Sequence, residues 1–291
     1  MTYDEYLAAV LAAQKVGDDD VALLHKHRDE VEQLLRDELG QAPRIRFGGS
    51  LAKATMIKES FDLDILCYFP YDDKSSGNTL EDTFNAVRDA LKTRYAVVVK
   101  RCALRLHNID TTQPNRDYHV DVVPGRYVDA SHEDTWLYVT TPEKRRLKTN
   151  IEKHVTHIQS STCHREIRLS KLWNIRKGLG IPTFVLELLV VKGLKGRTFT
   201  TAGDGMTSFW TYVRDTEALK VEDPANPDGN DLSDLLDVNA QARLKHASRD
   251  ALVAVERGEW PATFGPVDGH DTAAKVRSAA TGVAFTKPWS G

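Results

Sequence analysis

The chain has 291 residues, of which 41% are hydrophobic and 28% are charged. This composition is typical of a globular protein and excludes wholesale disorder. The formal net charge of -3 gives no signal for a protein that binds nucleic acid through overall basicity. The three cysteines form no CxxC pair, which excludes a disulfide scaffold and favours the reducing cytoplasm. No apolar run is long and uncharged enough to predict a membrane span.

The first half of the chain mixes helical and strand patterns, which predicts an α/β or α+β core. Apolar side chains at helical spacing predict helices within residues 7–35 and 80–91. Alternating or continuous apolar runs predict strands at residues 44–47, 63–69, 96–106 and 118–123.

The second half carries helical patterns and no clear strand signal. Helices are predicted at residues 166–177, 184–195, 206–219 and 232–256. Pro142 and the charged residues around it predict a boundary, so we expect an N-terminal helix and α+β core over 1–145 and a helical domain over 146–266. Residues 267–291 contain few large apolar side chains and are expected to form a mobile tail.

Gly48, Gly49 and Ser50 lie between a predicted strand and a short helix-like stretch. Glycines let the backbone approach an anion closely, and amide groups at a helix start point towards it. A glycine pair after a strand is more often only a tight turn, so this feature is weak when taken alone.

Three aspartates could form an acidic cluster near these glycines. Asp62 and Asp64 flank Leu63 at a strand entrance and would share one face, and Asp121 lies inside another apolar strand. A DxD pattern alone is common on solvated surfaces, but a buried acid needs a partner or a metal. If the two strands pair, three carboxylates converge near a phosphate cradle, which is the arrangement that two-metal nucleotidyl transfer needs.

The order of these motifs resembles the GS…DxD…D signature of the polymerase-β-like nucleotidyltransferases. Further segments are similar to cyclic GMP-AMP synthase, 2′-5′-oligoadenylate synthases and the bacterial CD-NTases of CBASS anti-phage systems. These segments are residues 169–173, 182–187 and 223–227, together with Trp260 and Phe264-Gly265. The resemblance implies a bilobal α+β fold, with a nucleotidyltransferase core, a C-terminal helical domain and the active site in the cleft between them.

The resemblance also implies roles for individual residues. Asp62, Asp64 and Asp121 would be catalytic and would hold two Mg²⁺ ions, for which Mn²⁺ can substitute. The nucleotide-binding residues would be Gly49, Ser50, Lys171, Thr183 and Phe184. Thr183 and Phe184 depart from the serine and tyrosine that are usual in the family, but a hydroxyl and an aromatic ring are retained.

The implied reaction joins NTPs, with ATP expected among them, into a cyclic di- or trinucleotide with release of pyrophosphate. An activator protein or ligand is an expected partner, and Gly291 is a candidate site for conjugation by a ubiquitin-transfer-like enzyme. Two alternatives stay open: a single-transfer nucleotidyltransferase acting on an RNA end, protein or small molecule, and an inactive sensor of nucleotides or RNA.

A histidine- and cysteine-containing stretch has a spacing that could feed a zinc site. It comprises His154, His157, Cys163 and His164. Because structural zinc prefers more thiolate ligands, polar residues at a helix start are the favoured interpretation. His119 shares a predicted strand face with Asp121 and is expected near the metals without acting as a base.

Overall fold

The computed structural model describes residues 1–60, 62–107, 120–141, 145–226 and 231–269. Within these ranges the chain forms one mixed sheet and two groups of helices. The strands are β1 (Arg44–Phe47), β2 (Leu63–Phe69), β3 (Ala96–Val99), β4 (Leu104–His107), β5 (Val120–Tyr127), β6 (Thr135–Tyr138) and β7 (Arg146–Thr149). The helices are α1 (Tyr3–Ala13), α2 (Asp18–Leu39), α3 (Gly49–Ala52), α4 (Leu80–Lys92), α5 (Ile151–Gln159), α6 (His164–Arg176), α7 (Thr183–Gly193), α8 (Ala202–Asp215), α9 (Val238–Glu256) and α10 (Trp260–Phe264).

The main path of the sheet runs in the order β1-β2-β5-β4-β3, with β6 paired to β5 and β7 paired to β6. Strands β2 and β5 are parallel, and the other pairs are antiparallel. Because the two parallel strands are neighbours in the middle of the sheet, residues far apart in the sequence lie side by side there. This mixed sheet with helices confirms the predicted α+β class.

The sheet buries apolar side chains on both faces, because successive residues of a strand point in opposite directions. Ile65 of β2 packs with α2 and α4 through side chains such as Leu35 and Phe84. Leu66 points to the other face and joins a smaller cluster with Leu137. All seven residues of β2 are buried, so this strand is a rigid base for the acidic residues that it carries.

The helical half has its own core, built from α6 to α10 around Trp173 and Trp210. The N-terminal helix α1 also packs there, against α6 and α8. Strand β7, which follows the expected boundary at residue 145, extends the sheet. No helix in the described ranges has the length and apolar character needed to cross a membrane.

Several elements differ from the sequence-based expectation. The single strand expected over residues 96–106 is a hairpin of β3 and β4, in which the N–H of Lys100 donates to the carbonyl of Ala103. The polar pair Lys100-Arg101 interrupts the apolar run and permits this turn. Helix α9 begins at residue 238 and not at 232, because Asp237 caps it by accepting from the N–H of Ala240.

Candidate functional site

The register of β2 and β5 brings two aspartates together. Asp64 of β2 and Asp121 of β5 are direct partners across the parallel pair, and both are buried, at 1% and 0% exposure. Asp62 lies just before β2 and is only half-buried. The strands expected to pair therefore do so, and two of the three predicted acids occupy neighbouring positions in the core of the sheet.

Arg105 binds Asp121 from the other side. It is the direct partner of Asp121 across the antiparallel β4–β5 pair. Its Nε donates to Oδ1 and its Nη2 donates to Oδ2, each at 2.8 Å. Burial opposes the charged form of Arg105, but the hydrogen bonds and charge of Asp121, with added contributions from Asp62 and Asp64, raise the pKa of the guanidinium. Arg105 is not among the site residues predicted from the sequence.

The segment around Gly48 and Gly49, at the start of α3, approaches the acidic residues through its backbone. The N–H of Gly48 donates to the carbonyl of Asp64 at 2.9 Å, which fastens the start of α3 to β2. Gly49 has a φ of +62°, and a Cβ atom there would overlap Oδ2 of Asp64. Both the left-handed backbone and the close approach therefore require glycine at this position.

The acidic donor set suits a hard divalent cation, because carboxylate oxygens on adjacent strands and a backbone cradle that excludes a side chain lie together. In the conformation observed, however, no three acidic, histidine or cysteine side chains within the described ranges are arranged to hold a metal ion at once. Both carboxylate oxygens of Asp121 are engaged by Arg105.

A second charged cluster lines the same cleft as Asp62 and Asp64 and joins the helical half to the segment after α3. Glu187 of α7 is fully buried and forms an ion pair with Lys53, which follows α3. Its Oε1 accepts from the hydroxyl of Thr55 at 2.7 Å and lies 3.6 Å from the ammonium nitrogen of Lys171. Lys171 also donates to the carbonyl of Thr55 at 2.8 Å. Burial alone would raise the pKa of Glu187, but Lys53, Lys171 and Thr55 lower it below its ordinary value.

Phe184, at the start of α7, is 2% exposed. The ammonium nitrogen of Lys53 lies 4.7 Å from the centre of its ring, and the ring of His154 lies 4.6 Å away, centre to centre. His154 Nε2 is 2.6 Å from Oδ1 of Asp223, so the histidine joins α5 to the segment before α9. This contact gives His154 a buried carboxylate partner within the fold.

One cleft collects most of the predicted site residues. It is lined by Gly49, Ser50, Lys53, Ser60, Asp62, Asp64, Lys171, Thr183, Phe184 and Glu187. Asp121 does not line it, but lies beside Asp64 with its carboxylate directed at Arg105. Gly291 and His119 lie outside the described residues.

Lys53 and Glu187 were missed as site residues, although the sequence carries a signal for one of them. Glu187 interrupts the otherwise apolar pattern of α7, and a buried carboxylate needs cationic partners. Lys53 has no such signal, because a lysine after a short helix is ordinarily solvated.

No protein-family model matches the sequence, and no curated protein matches it. Solved structures do match. CdnC of E. coli MS115-1 with ATP has a TM-score of 0.68 and 19% identity, over 91% of this chain and 98% of that one. CdnC in its complex with HORMA-deltaN has a TM-score of 0.66 and 18% identity, over 99% of this chain and 98% of that one.

Two further matches are CD-NTases of other bacteria. The CD-NTase CdnG of Bradyrhizobium diazoefficiens with GTP has a TM-score of 0.70 and 14% identity, over 95% of this chain and 97% of that one. The cyclic AMP-GMP synthase DncV of Vibrio cholerae has a TM-score of 0.63 and 16% identity, over 84% of this chain and 76% of that one. The chain therefore has the fold of the CD-NTases, as the sequence resemblance predicted.

Proposed function

We propose that the protein is a nucleotidyltransferase that joins NTPs into a cyclic di- or trinucleotide. The observation that supports this most is the pairing of Asp64 with Asp121 beside the Gly49 backbone, in a fold shared with CD-NTases. The matched structures include a cyclic AMP-GMP synthase and proteins solved with ATP or GTP.

The acidic residues would hold two Mg²⁺ ions, with Asp62 and Asp64 binding both ions and Asp121 binding one. Bound Mg²⁺ would lower the pKa of the attacking ribose hydroxyl and neutralise charge on the phosphates. Gly49 and Ser50 would hold the donor phosphates from one side. Little covalent chemistry is required of the protein, which acts by aligning the hydroxyl, the α-phosphate and the leaving pyrophosphate.

The helical half would contribute charge and base contacts. The ammonium of Lys171 would contact the triphosphate, and Thr183 offers a hydroxyl donor at the start of α7. Phe184 would stack on a base through its ring. Since Lys53 lies over that ring, stacking on this face requires the Lys53 side chain to move.

The biological setting belongs to the same proposal. A cyclic product would act as a cytoplasmic second messenger in anti-phage defence, in response to an activator. CdnC is the precedent for a protein partner, because one of its structures is a complex with HORMA-deltaN. Conjugation at Gly291 stays a prediction.

The test is mass spectrometry of products after incubation with ATP, GTP, CTP and UTP in the presence of Mg²⁺. We expect phosphatase-resistant cyclic oligonucleotides, and a loss of at least about 10²-fold in yield for Asp64→Asn. NTP binding should persist in that variant, because the phosphate and base contacts remain. Asp89→Asn, which removes a charge from the exposed face of α4, is the matched control and should leave the yield unchanged.

Other products would point to the alternatives. Transfer of one nucleotide to an added RNA, protein or small molecule, without cyclic products, would identify a single-transfer enzyme. Unreacted NTPs call for a repeat with cell extract, which supplies activators. NTP binding without turnover in the presence of extract would contradict the proposal and favour the sensor.

A further inference from the structure

Arg105 occupies a position in the candidate site that is unlike that of a surface arginine. It lies in the strand next to β5 and is the backbone partner of Asp121. Its side chain is 15% exposed, and that of Asp121 is fully buried. A bidentate contact of this kind uses both oxygens of the carboxylate. It therefore fixes the orientation of the carboxylate and also favours its charged form.

The neighbouring residues explain why a cation is needed there. Asp64 and Asp121 are side by side across the β2–β5 pair, and both are buried. Two buried carboxylates at adjacent strand positions repel each other and lose hydration. The guanidinium of Arg105 offsets part of that cost.

A divalent cation would serve the same electrostatic purpose. Its binding to Asp121 requires at least one oxygen that now accepts from Arg105.

We propose that Arg105 is a resident counter-ion of the acidic cluster and competes with the divalent cation for Asp121. The inference rests on the proposed function for the identity of the cation's ligands. Arg105 is thus a positioning residue that sets the metal affinity of the site, and metal binding releases Asp121 from it.

The test is direct measurement of Mn²⁺ affinity without nucleotide, by electron paramagnetic resonance of the free ion. Arg105→Gln should bind Mn²⁺ at least about tenfold more tightly than the wild type, because a nearby positive charge is removed. Asp64→Asn in the same background should abolish this gain, which locates the ion at the acidic cluster.

Thermal unfolding supplies an independent readout. In EDTA, Arg105→Gln should melt well below the wild type, and Mn²⁺ should restore much more of its stability than it adds to the wild type. A purely structural arginine would lower the melting temperature by the same amount with and without Mn²⁺.

Two further variants guard against misfolding and general charge effects. Arg105→Lys keeps the charge but cannot hold both oxygens, so its Mn²⁺ affinity should lie between those of the wild type and Arg105→Gln. Arg126→Gln is the matched control, since Arg126 lies in β5 and donates to the carbonyl of Gly77 and the hydroxyl of Thr83. It should leave Mn²⁺ affinity unchanged.

Unchanged or weaker Mn²⁺ binding in Arg105→Lys and in any folded Arg105→Gln would overturn the inference, as would a lack of Mn²⁺ binding in every variant. The product assay judges the proposed function separately. Cyclic products with unchanged Mn²⁺ affinity would refute the role of Arg105 alone. Tightened Mn²⁺ binding without products, even in the presence of cell extract, would refute only the proposed function.

Discussion

Two charged clusters meet at the cleft with opposite charge arrangements. In the acidic cluster, Asp62, Asp64 and Asp121 lie with the guanidinium of Arg105. In the basic cluster, Glu187 lies with the ammonium groups of Lys171, from the helical half, and Lys53, which reaches it from the end of α3. Among these residues, the acidic cluster keeps an excess of carboxylates and the basic cluster an excess of cations.

Under the proposed function, this difference would direct different ligands to the two clusters. An excess of buried carboxylates attracts a divalent cation, and an excess of ammonium groups attracts phosphate. In each cluster, the single group of opposite charge offsets part of the cost of burying the others before any ligand binds; this group is Arg105 among the acids and Glu187 among the lysines. Removing that group should therefore affect stability most, and removing one of the other charged groups should affect ligand binding most.

The largest effect on stability is expected from Glu187→Gln. This change leaves the buried Lys53 and Lys171 without their carboxylate, and it should reduce the free energy of unfolding by about 3–5 kcal/mol. Urea unfolding measures the loss. Glu152→Gln is the control, since its ion pair with Arg46 is exposed and should contribute less than about 1 kcal/mol. Equal losses in the two variants would contradict the assigned role of Glu187.

A smaller effect is expected at the acidic cluster from Gly49→Ala. An alanine at this positive φ costs about 1–2 kcal/mol, and its methyl group must also displace the Asp64 carboxylate. Gly40→Ala is the matched control, because Gly40 has a φ of +74° but open space around a Cβ atom. Both variants should lose stability by urea unfolding, but only Gly49→Ala should also lose product formation. Full product formation by a folded Gly49→Ala would disprove the importance of the close approach.

The smallest effect is expected on the stability of the protein at acid pH. Because the pKa of Glu187 is lowered in the folded state, its stabilisation is complete above its ordinary value of 4.5 and is lost as the pH falls through the folded-state pKa. The wild type should therefore lose stability below pH 4.5 more steeply than Glu187→Gln. Melting temperatures of both proteins across this range provide the measurement, and parallel curves would assign the acid sensitivity to other carboxylates.

The acidic cluster was predictable from the sequence because each strand is a local element and its side chains alternate regularly between the two faces of the sheet. The bounds of β1 and β2 agree with the predicted strands, and the apolar pattern around Asp121 placed it within a strand. Pairing of β2 with β5 was an assumption, which the register confirms. The roles of these residues in catalysis stay predictions.

The basic cluster was less predictable because the residues that contact one another there are far apart in the sequence. Lys53 and Glu187 meet only when α3 and α7 pack across the cleft, and nothing near Lys53 signals its partner. Arg105 was missed for a related reason, since residues 96–106 were predicted as one strand and the β3–β4 hairpin sets its register opposite Asp121. Short strands such as β7 bury few side chains and leave a weak pattern.

The parallel pairing of β2 and β5 also has a consequence for folding. Parallel neighbours need a long crossover, and here the chain forms α4, β3 and β4 between them. Closing such a loop costs entropy before the contact forms, so non-local pairings of this kind form slowly. Asp64 and Asp121 therefore become neighbours only after this crossover closes. A nascent chain released before β5 has been synthesised would carry Asp62 and Asp64 but could not assemble the acidic cluster.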